Sequence, residues 1–194
     1  MASTLLHYLL WRLGIASPET QTSPAERAAL AHHARGRRTC VEIGVWHGVN
    51  TRRIRQVMAP DGTLTGVDPF PPGRLGFSFP RAIALREIAR CPCGSATLLR
   101  LTSADAAKDW SVPIDFLFVD GDHSYEALRT DWESWSPHIA PGGIVCLHDS
   151  HPTTSRPIES AGSVRFTSEV ILRDRRFALV EVVDTLTVLV RRAT

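Results

Sequence analysis

Phe116-Leu117-Phe118-Val119-Asp120 and Ile144-Val145-Cys146-Leu147-His148-Asp149 are two short apolar runs, each closed by an aspartate. Continuous apolar runs of this length read as strands buried on both faces. The stretch between them reads as loop, helix and turn, the kind of connection that two adjacent parallel strands require. The two acids then stand at the carboxyl ends of neighbouring strands, where open α/β sheets place their ligand crevice. Carboxylates that converge repel each other unless a proton or cation lies between them. A hard divalent ion suits them. Gly121, Asp122 and His123 follow the first acid, and His148 precedes the second.

Outward from this pair the same alternation continues. Ser23-Pro24-Ala25-Glu26 is a capping box with proline at the first helical position, so a helix runs to about Ala34 and stops at Gly36. Thr39 to Ile43 is a buried strand that ends at Gly44. Asn50 or Thr51 caps the next helix, with Ile54, Val57 and Met58 at helical spacing. Thr63 to Val67 is a second strand, ended by Asp68. Residues 69 to 80 hold four prolines and two glycines and form a loop. Arg81 to Ala89 is helical, and Ala96 to Leu101 is a third strand with Ser103 as the following cap. Ile114 to Val119 is the fourth strand. Tyr125, Leu128, Trp132 and Trp135 share one face of the next helix, which packs on the core. Pro141-Gly142-Gly143 turns into the fifth strand. Phe177 to Val183 and Leu186 to Val190 form a hairpin about Asp184-Thr185. The expected fold is therefore a doubly wound, Rossmann-like α/β sheet of seven mostly parallel strands with a C-terminal antiparallel hairpin. It is expected to be one domain over residues 1–194, with the helices of residues 1–36 packed on it.

Composition narrows the class. With 194 residues, 43% of them hydrophobic, the chain can bury one ordinary core. Its 22 basic and 20 acidic residues give a net charge of +2, too small to argue for a nucleic-acid partner. Four cysteines in no disulfide pattern point to a reducing cytoplasm. The apolar stretch Leu5 to Trp11 is too short to cross a membrane and lacks a signal peptide's basic start. It reads as an amphipathic helix on the domain surface and is the natural place for a contact with a second copy.

Four places carry chemistry. Glu42-Ile43-Gly44-Val45-Trp46-His47-Gly48 is a glycine loop between strand and helix. Such a loop lets the backbone approach a ligand and offers it a helix N-terminus. The middle glycine of a dinucleotide fingerprint is replaced by Trp46, which counts against a nicotinamide-dependent oxidoreductase. Asp68 at the end of the second strand can accept ribose hydroxyls. Ser103 and Ala104, after the third strand, either meet an adenine ring or only start a helix. The fourth place is Asp120 to His123 together with His148 and Asp149. There Asp122 is a helix cap or a ligand, and His123 is a proton acceptor or a plain helix-start residue. The loop with Phe70, Arg74, Phe77 and Phe79 is expected to fold over the site as a lid.

Glu42-x-Gly44-x-x-x-Gly48, Asp68 and the strand order resemble the class I S-adenosylmethionine-dependent methyltransferases. Asp120-Gly121-Asp122-His123-Ser124-Tyr125 and Pro141 to Asp149 resemble a narrower group, the small bacterial O-methyltransferases related to the macrocin and mycinamicin sugar enzymes and to cephalosporin-hydroxylase-type proteins. The resemblance implies that Glu42 and Gly44 line the methionine part of S-adenosylmethionine; Trp46 and Gly48, in the same loop, are further cofactor-binding candidates. It implies that Asp68 holds the ribose and that Asp120 and Asp149 hold Mg²⁺; Ser103, Ala104 and Asp120 are expected on the cofactor rim as well. His123 falls where the sugar enzymes have their catalytic base. His148 stands where they often have an acid, and imidazole suits a transition metal better than Mg²⁺. The implied activity is methyl transfer to a hydroxyl of a small molecule. A cofactor-binding pseudoenzyme is the other reading.

Overall fold

The computed structural model describes residues 4–73 and 76–193. Strands β1 (Thr39–Ile43), β2 (Thr63–Val67), β3 (Ser95–Leu99), β4 (Ile114–Val119), β5 (Ile139–Leu147), β6 (Phe177–Val183) and β7 (Leu186–Arg191) form one seven-stranded sheet in the order β3-β2-β1-β4-β5-β7-β6. Neighbours from β3 to β5 are parallel, and β7 is antiparallel to both β5 and β6. The chain starts at the centre with β1, winds outward to β3, then restarts beside β1 at β4. The two halves diverge between β1 and β4, which is the switch point where such sheets open a crevice.

Helices cover both faces. On one lie α5 (Ser103–Lys108), α6 (Tyr125–Trp135) and α7 (Gly162–Glu169). There Leu128, Trp132, Trp135 and Phe166 close over Val41, Leu117 and Val145. The aromatic stripe of α6 is thus core packing, as its spacing predicts. On the other face, Ala29, Leu30 and Ala34 of α2 (Pro24–Ala34) and Ile54 of α3 (Val49–Arg55) cover Cys40, Leu64, Phe116 and Cys146. The alternate residues of each strand feed opposite layers, which is why the strands are apolar throughout.

Several boundaries differ from those read in the sequence, each for a local reason. Helix α3 starts from Gly48, not Asn50 or Thr51, because Gly48 takes the left-handed conformation (φ 73°) that the turn needs. Val57 and Met58 follow that helix instead of ending it. Strand β3 is Ser95–Leu99, so Leu101 lies beyond it. Thr102, not Ser103, caps α5, accepting the Asp105 N–H at 3.2 Å. Helix α4 (Phe79–Ala89) begins with Pro80 in its first turn, two residues before the expected start. Strand β5 begins earlier, at Ile139, and Pro141-Gly142-Gly143 is a bulge within it: the register against β4 shifts from Ile114–Ile139 to Phe116–Ile144, with Gly142 at φ 77°. Helix α7 has no sequence signature strong enough to announce it.

At the N-terminus, α1 (Thr4–Arg12) is held mainly by Trp11, which is buried under the Arg86 guanidinium, and by Tyr8. Tyr8 packs its ring on Phe77 and Phe79, 6.2 and 5.0 Å between centroids. Those two rings therefore anchor α1 and do not cover the cavity described below, while Phe70 is buried against Val45 and Ala84. Arg74 lies outside the described residues. Leu5 and Leu9 of α1 face outward.

Candidate active site

The carboxyl ends of β1, β2 and β4 and the chain between α1 and α2 enclose a cavity of about 610 Å³, within the range that holds a drug-sized ligand. Gly44, Trp46, Asp68, Ser103, Ala104, Asp120 and His123 are on its wall. These residues, together with Gly121 and Asp122, thus meet at one place. Glu42, Gly48, His148 and Asp149 are not on that wall.

The glycine loop is held by Asp68. Its Oδ2 accepts the Val45 and Trp46 N–H groups at 3.1 and 2.9 Å, and its Oδ1 accepts Phe70 N–H at 2.7 Å. An ionised carboxylate offers about four lone-pair sites. Three are used, leaving capacity for one further donor from the cavity. Trp46 sits in the left-handed region (φ 47°) and stacks on His47, 4.5 Å between centroids. Gly44 is a glycine for a packing reason beyond its φ of 85°: a Cβ there would overlap the backbone carbonyl of Asp120. Gly48 similarly faces the backbone of Ala84 in α4. Both glycines serve the close approach of protein to protein.

Glu42 points away from the cavity, fully buried in β1. Burial pushes its carboxyl well above the ordinary range, Asp120 and Asp68 push it the same way, and the Thr51 hydroxyl opposes them. Burial thus favours the neutral form of the Glu42 carboxyl over the ionised one.

His148 is the hub behind the wall. Its Nδ1 lies 2.8 Å from Asp120 Oδ1, and its Nε2 lies 3.4 Å from Glu26 Oε2 and 3.8 Å from Asp149 Oδ1. These contacts are close but not aligned as hydrogen bonds. Burial disfavours a charged ring, but Asp120 and Glu26 outweigh it and raise His148 to about 10. Glu26 in turn is held at about 2: burial raises it, and His148, Thr185 and the Ser23 N–H more than reverse that. The capping-box glutamate thus has a second task, since its Oε1 also accepts the Thr185 N–H and hydroxyl at 2.9 and 2.6 Å. The motif announced the cap; nothing local announced the link to His148.

Asp149 is buried, with its backbone in the left-handed region (φ 48°) that aspartate tolerates better than most residues. His123 Nε2 lies 3.6 Å from its Oδ2, and Arg156 reaches the same oxygen at 2.5 Å. Asp120, His123 and His148 each offer a ligand atom within 4.8 Å of the others. Asp149 stands outside that group. Asp122 accepts the Ser124 N–H at 2.7 Å and shapes the turn into α6, whose cap is Ser124.

Four residues of the wall, in two places, escaped the sequence reading. Glu19, Thr20 and Gln21, between α1 and α2, form part of the cavity wall although nothing in their pattern marks them. Asp131 of α6 also faces the cavity. Burial pushes it up to about 6, with Asp122 adding and Ser103 opposing. Its signal was an acid one position before Trp132 on an otherwise core-facing helix.

This sheet order, with a glycine loop and acids on its rim, defines a Rossmann-like methyltransferase fold. The chain belongs to a family described as a methyltransferase domain, whose model matches residues 41–150. Three solved structures share the fold. One is a Corynebacterium glutamicum protein, 16% identical with TM-score 0.71, covering 100% of this chain and 92% of that one. The second is an O-methyltransferase from Bacillus cereus in complex with S-adenosylhomocysteine, 18% identical with TM-score 0.64 and covering 98% and 92%. The third is the O-methyltransferase TomG from Streptomyces achromogenes, involved in tomaymycin synthesis and solved with S-adenosylmethionine, 15% identical with TM-score 0.63 and covering 100% and 91%. Among curated proteins, an uncharacterized Sinorhizobium fredii protein, y4gI, is 39% identical over 54 residues, 27% of this chain. The match spans only 6% of that relative's length. Among the described residues no helix is long and apolar enough to cross a membrane.

Proposed function

We propose that this chain is an S-adenosylmethionine-dependent O-methyltransferase acting on a hydroxyl of a small molecule. The observation that carries the reading is His123 on the cavity wall beside Asp120, with Asp149 behind it. The cavity has the volume for the cofactor. Asp68 keeps a lone pair for a ribose hydroxyl, and Ser103 and Ala104 offer a small-residue wall for a flat ring. When bound, the sulfonium supplies the methyl group.

The chain's own residues do the rest. The walls hold the acceptor oxygen in line with the methyl, from which much of the rate of such a transfer derives. His123 takes the hydroxyl proton as the oxygen attacks. Asp149, 3.6 Å from His123 Nε2, offsets the charge the ring then carries. Of the two carboxylates expected to hold a metal, Asp149 has its Oδ2 taken by the Arg156 guanidinium, while its Oδ1 has no hydrogen-bond partner. No step here passes through a metal.

The test is production of S-adenosylhomocysteine from S-adenosylmethionine with a panel of phenols, sugars and other hydroxylated acceptors. Binding of the methyl donor without turnover on any acceptor class would favour a pseudoenzyme. Tight binding of NAD in its place would remove the reading. The same reading puts the protein in a reducing cytoplasm, consistent with four unpaired cysteines, and gives it no nucleic-acid partner. It places a self-association contact on α1, which sedimentation of a Leu5→Glu, Leu9→Glu variant tests.

A further inference from the structure

We infer that Arg156 is the resident cation of this site, holding Asp149 where a divalent ion was expected and making metal unnecessary. The inference rests on the methyltransferase reading for its chemistry but not for its geometry. Asp149 is 4% exposed and lies two residues past the end of β5. A buried carboxylate needs a charge partner or several donors. Arg156 NH2 supplies the partner at 2.5 Å, on the same Oδ2 that faces His123 Nε2.

The arginine is itself held in place. Its backbone N–H donates to the Thr153 carbonyl at 3.1 Å and to Thr153 Oγ1 at 3.0 Å, and Thr153 N–H donates back to the Arg156 carbonyl at 3.1 Å. That turn fixes where the side chain leaves the loop. At the far end the guanidinium lies 3.4 Å from both the carbonyl and the side-chain oxygen of Gln21, a cavity-wall residue. Arg156 therefore ties Asp149, just past β5, to the segment between α1 and α2.

Two properties make this a stable substitute for an ion. A guanidinium does not lose its proton at any working pH, so the charge beside Asp149 is permanent. Mg²⁺ gives up its water reluctantly and prefers near-octahedral oxygen ligands. To reach Asp149 Oδ2 it would have to displace a side chain tethered at both ends, and Oδ1 alone offers it a single carboxylate oxygen. Arg156 acts through Asp149 and is a positioning residue: it fixes the carboxylate that His123 faces.

The experiment is Mn²⁺ binding to the full chain, read by electron paramagnetic resonance and calorimetry, beside S-adenosylhomocysteine binding in the same samples. The wild type should show no stoichiometric Mn²⁺ below millimolar concentration, and chelator should leave its turnover unchanged. Arg156→Ala should gain one Mn²⁺ site at least tenfold tighter, and Asp149→Asn added to it should remove that site. Arg156→Lys, which keeps the charge, should behave as the wild type. One Mn²⁺ bound tightly by the wild type overturns the proposal. So does an Arg156→Ala variant that gains no site while circular dichroism shows it folded. If that variant does not fold, Arg156→Gln takes its place under the same two criteria. Loss of S-adenosylhomocysteine binding in the wild type would instead count against the methyltransferase reading, leaving the metal comparison to be read separately.

Discussion

Gly44 and Asp120 touch through their backbones: a Cβ on Gly44 would stand 2.6 Å from the Asp120 carbonyl carbon. That contact locks the end of β1 to the end of β4 at the switch point. It explains why the first glycine of the loop tolerates no side chain, whatever ligand the loop holds. Gly44→Ala faces both the overlap and a φ of 85°. It should destabilise the chain by about 2–4 kcal/mol, from overpacking plus strain, and lower the thermal midpoint. A thermal shift within a degree of wild type would show that the loop can move aside.

His123 should behave as a proton acceptor. His123→Ala should lower turnover by roughly 10²–10⁴-fold, the range for losing a positioned base. The affinity for S-adenosylhomocysteine, measured by calorimetry, should change little, because Asp68 and the loop hold the cofactor. Normal turnover in the variant would reduce His123 to a residue of the turn before α6.

Asp68 does two jobs, so its loss should show twice. Asp68→Ala removes the acceptor for three backbone N–H groups and the free lone pair. Cofactor affinity should fall by about 1–3 kcal/mol. Amide exchange in residues 44–48 should also quicken without any ligand present. Weakened affinity with unchanged exchange would assign Asp68 to the cofactor alone.

His47 makes the N-terminal segment sensitive to acid. Its ring is buried, its Nδ1 accepts the Glu19 N–H at 3.0 Å, and it stacks on His7 at 5.1 Å. Burial first, then His7, lowers it to about 4 from the usual 6.5. The folded chain thus resists a proton that the unfolded chain accepts. Stability from this group is complete above pH 6.5 and is lost as pH falls toward 4. Exchange in residues 4–22 should rise over that window, and His47→Gln should flatten the rise.

Asp131 runs the other way. Held at about 6, it favours the folded state when protonated and opposes it once ionised. Asp131→Asn should therefore raise the thermal midpoint above pH 6 and leave it unchanged below pH 4. If the midpoint falls at pH 7, the carboxylate has a partner in the cavity wall.

The strands and the hairpin were legible in the sequence because apolar runs bounded by glycine, proline and acids are local signals. Asp68, Asp120 and Asp149 could be placed on one rim because parallel topology puts every strand's carboxyl end on the same side. Boundaries shifted where a cap or a positive φ decided them, as at Gly48 and Thr102. The sequence alone determined that acids and imidazoles converge at a ligand crevice. It could not say which of them pair, because that depends on contacts between residues far apart in the chain. Glu26 meets His148 only after α2 folds against the β6–β7 turn. Arg156 meets Asp149 only because the Thr153 turn aims it back at β5. Charge in a low-dielectric interior is settled by distances of a few ångströms, and those distances are a property of the tertiary structure.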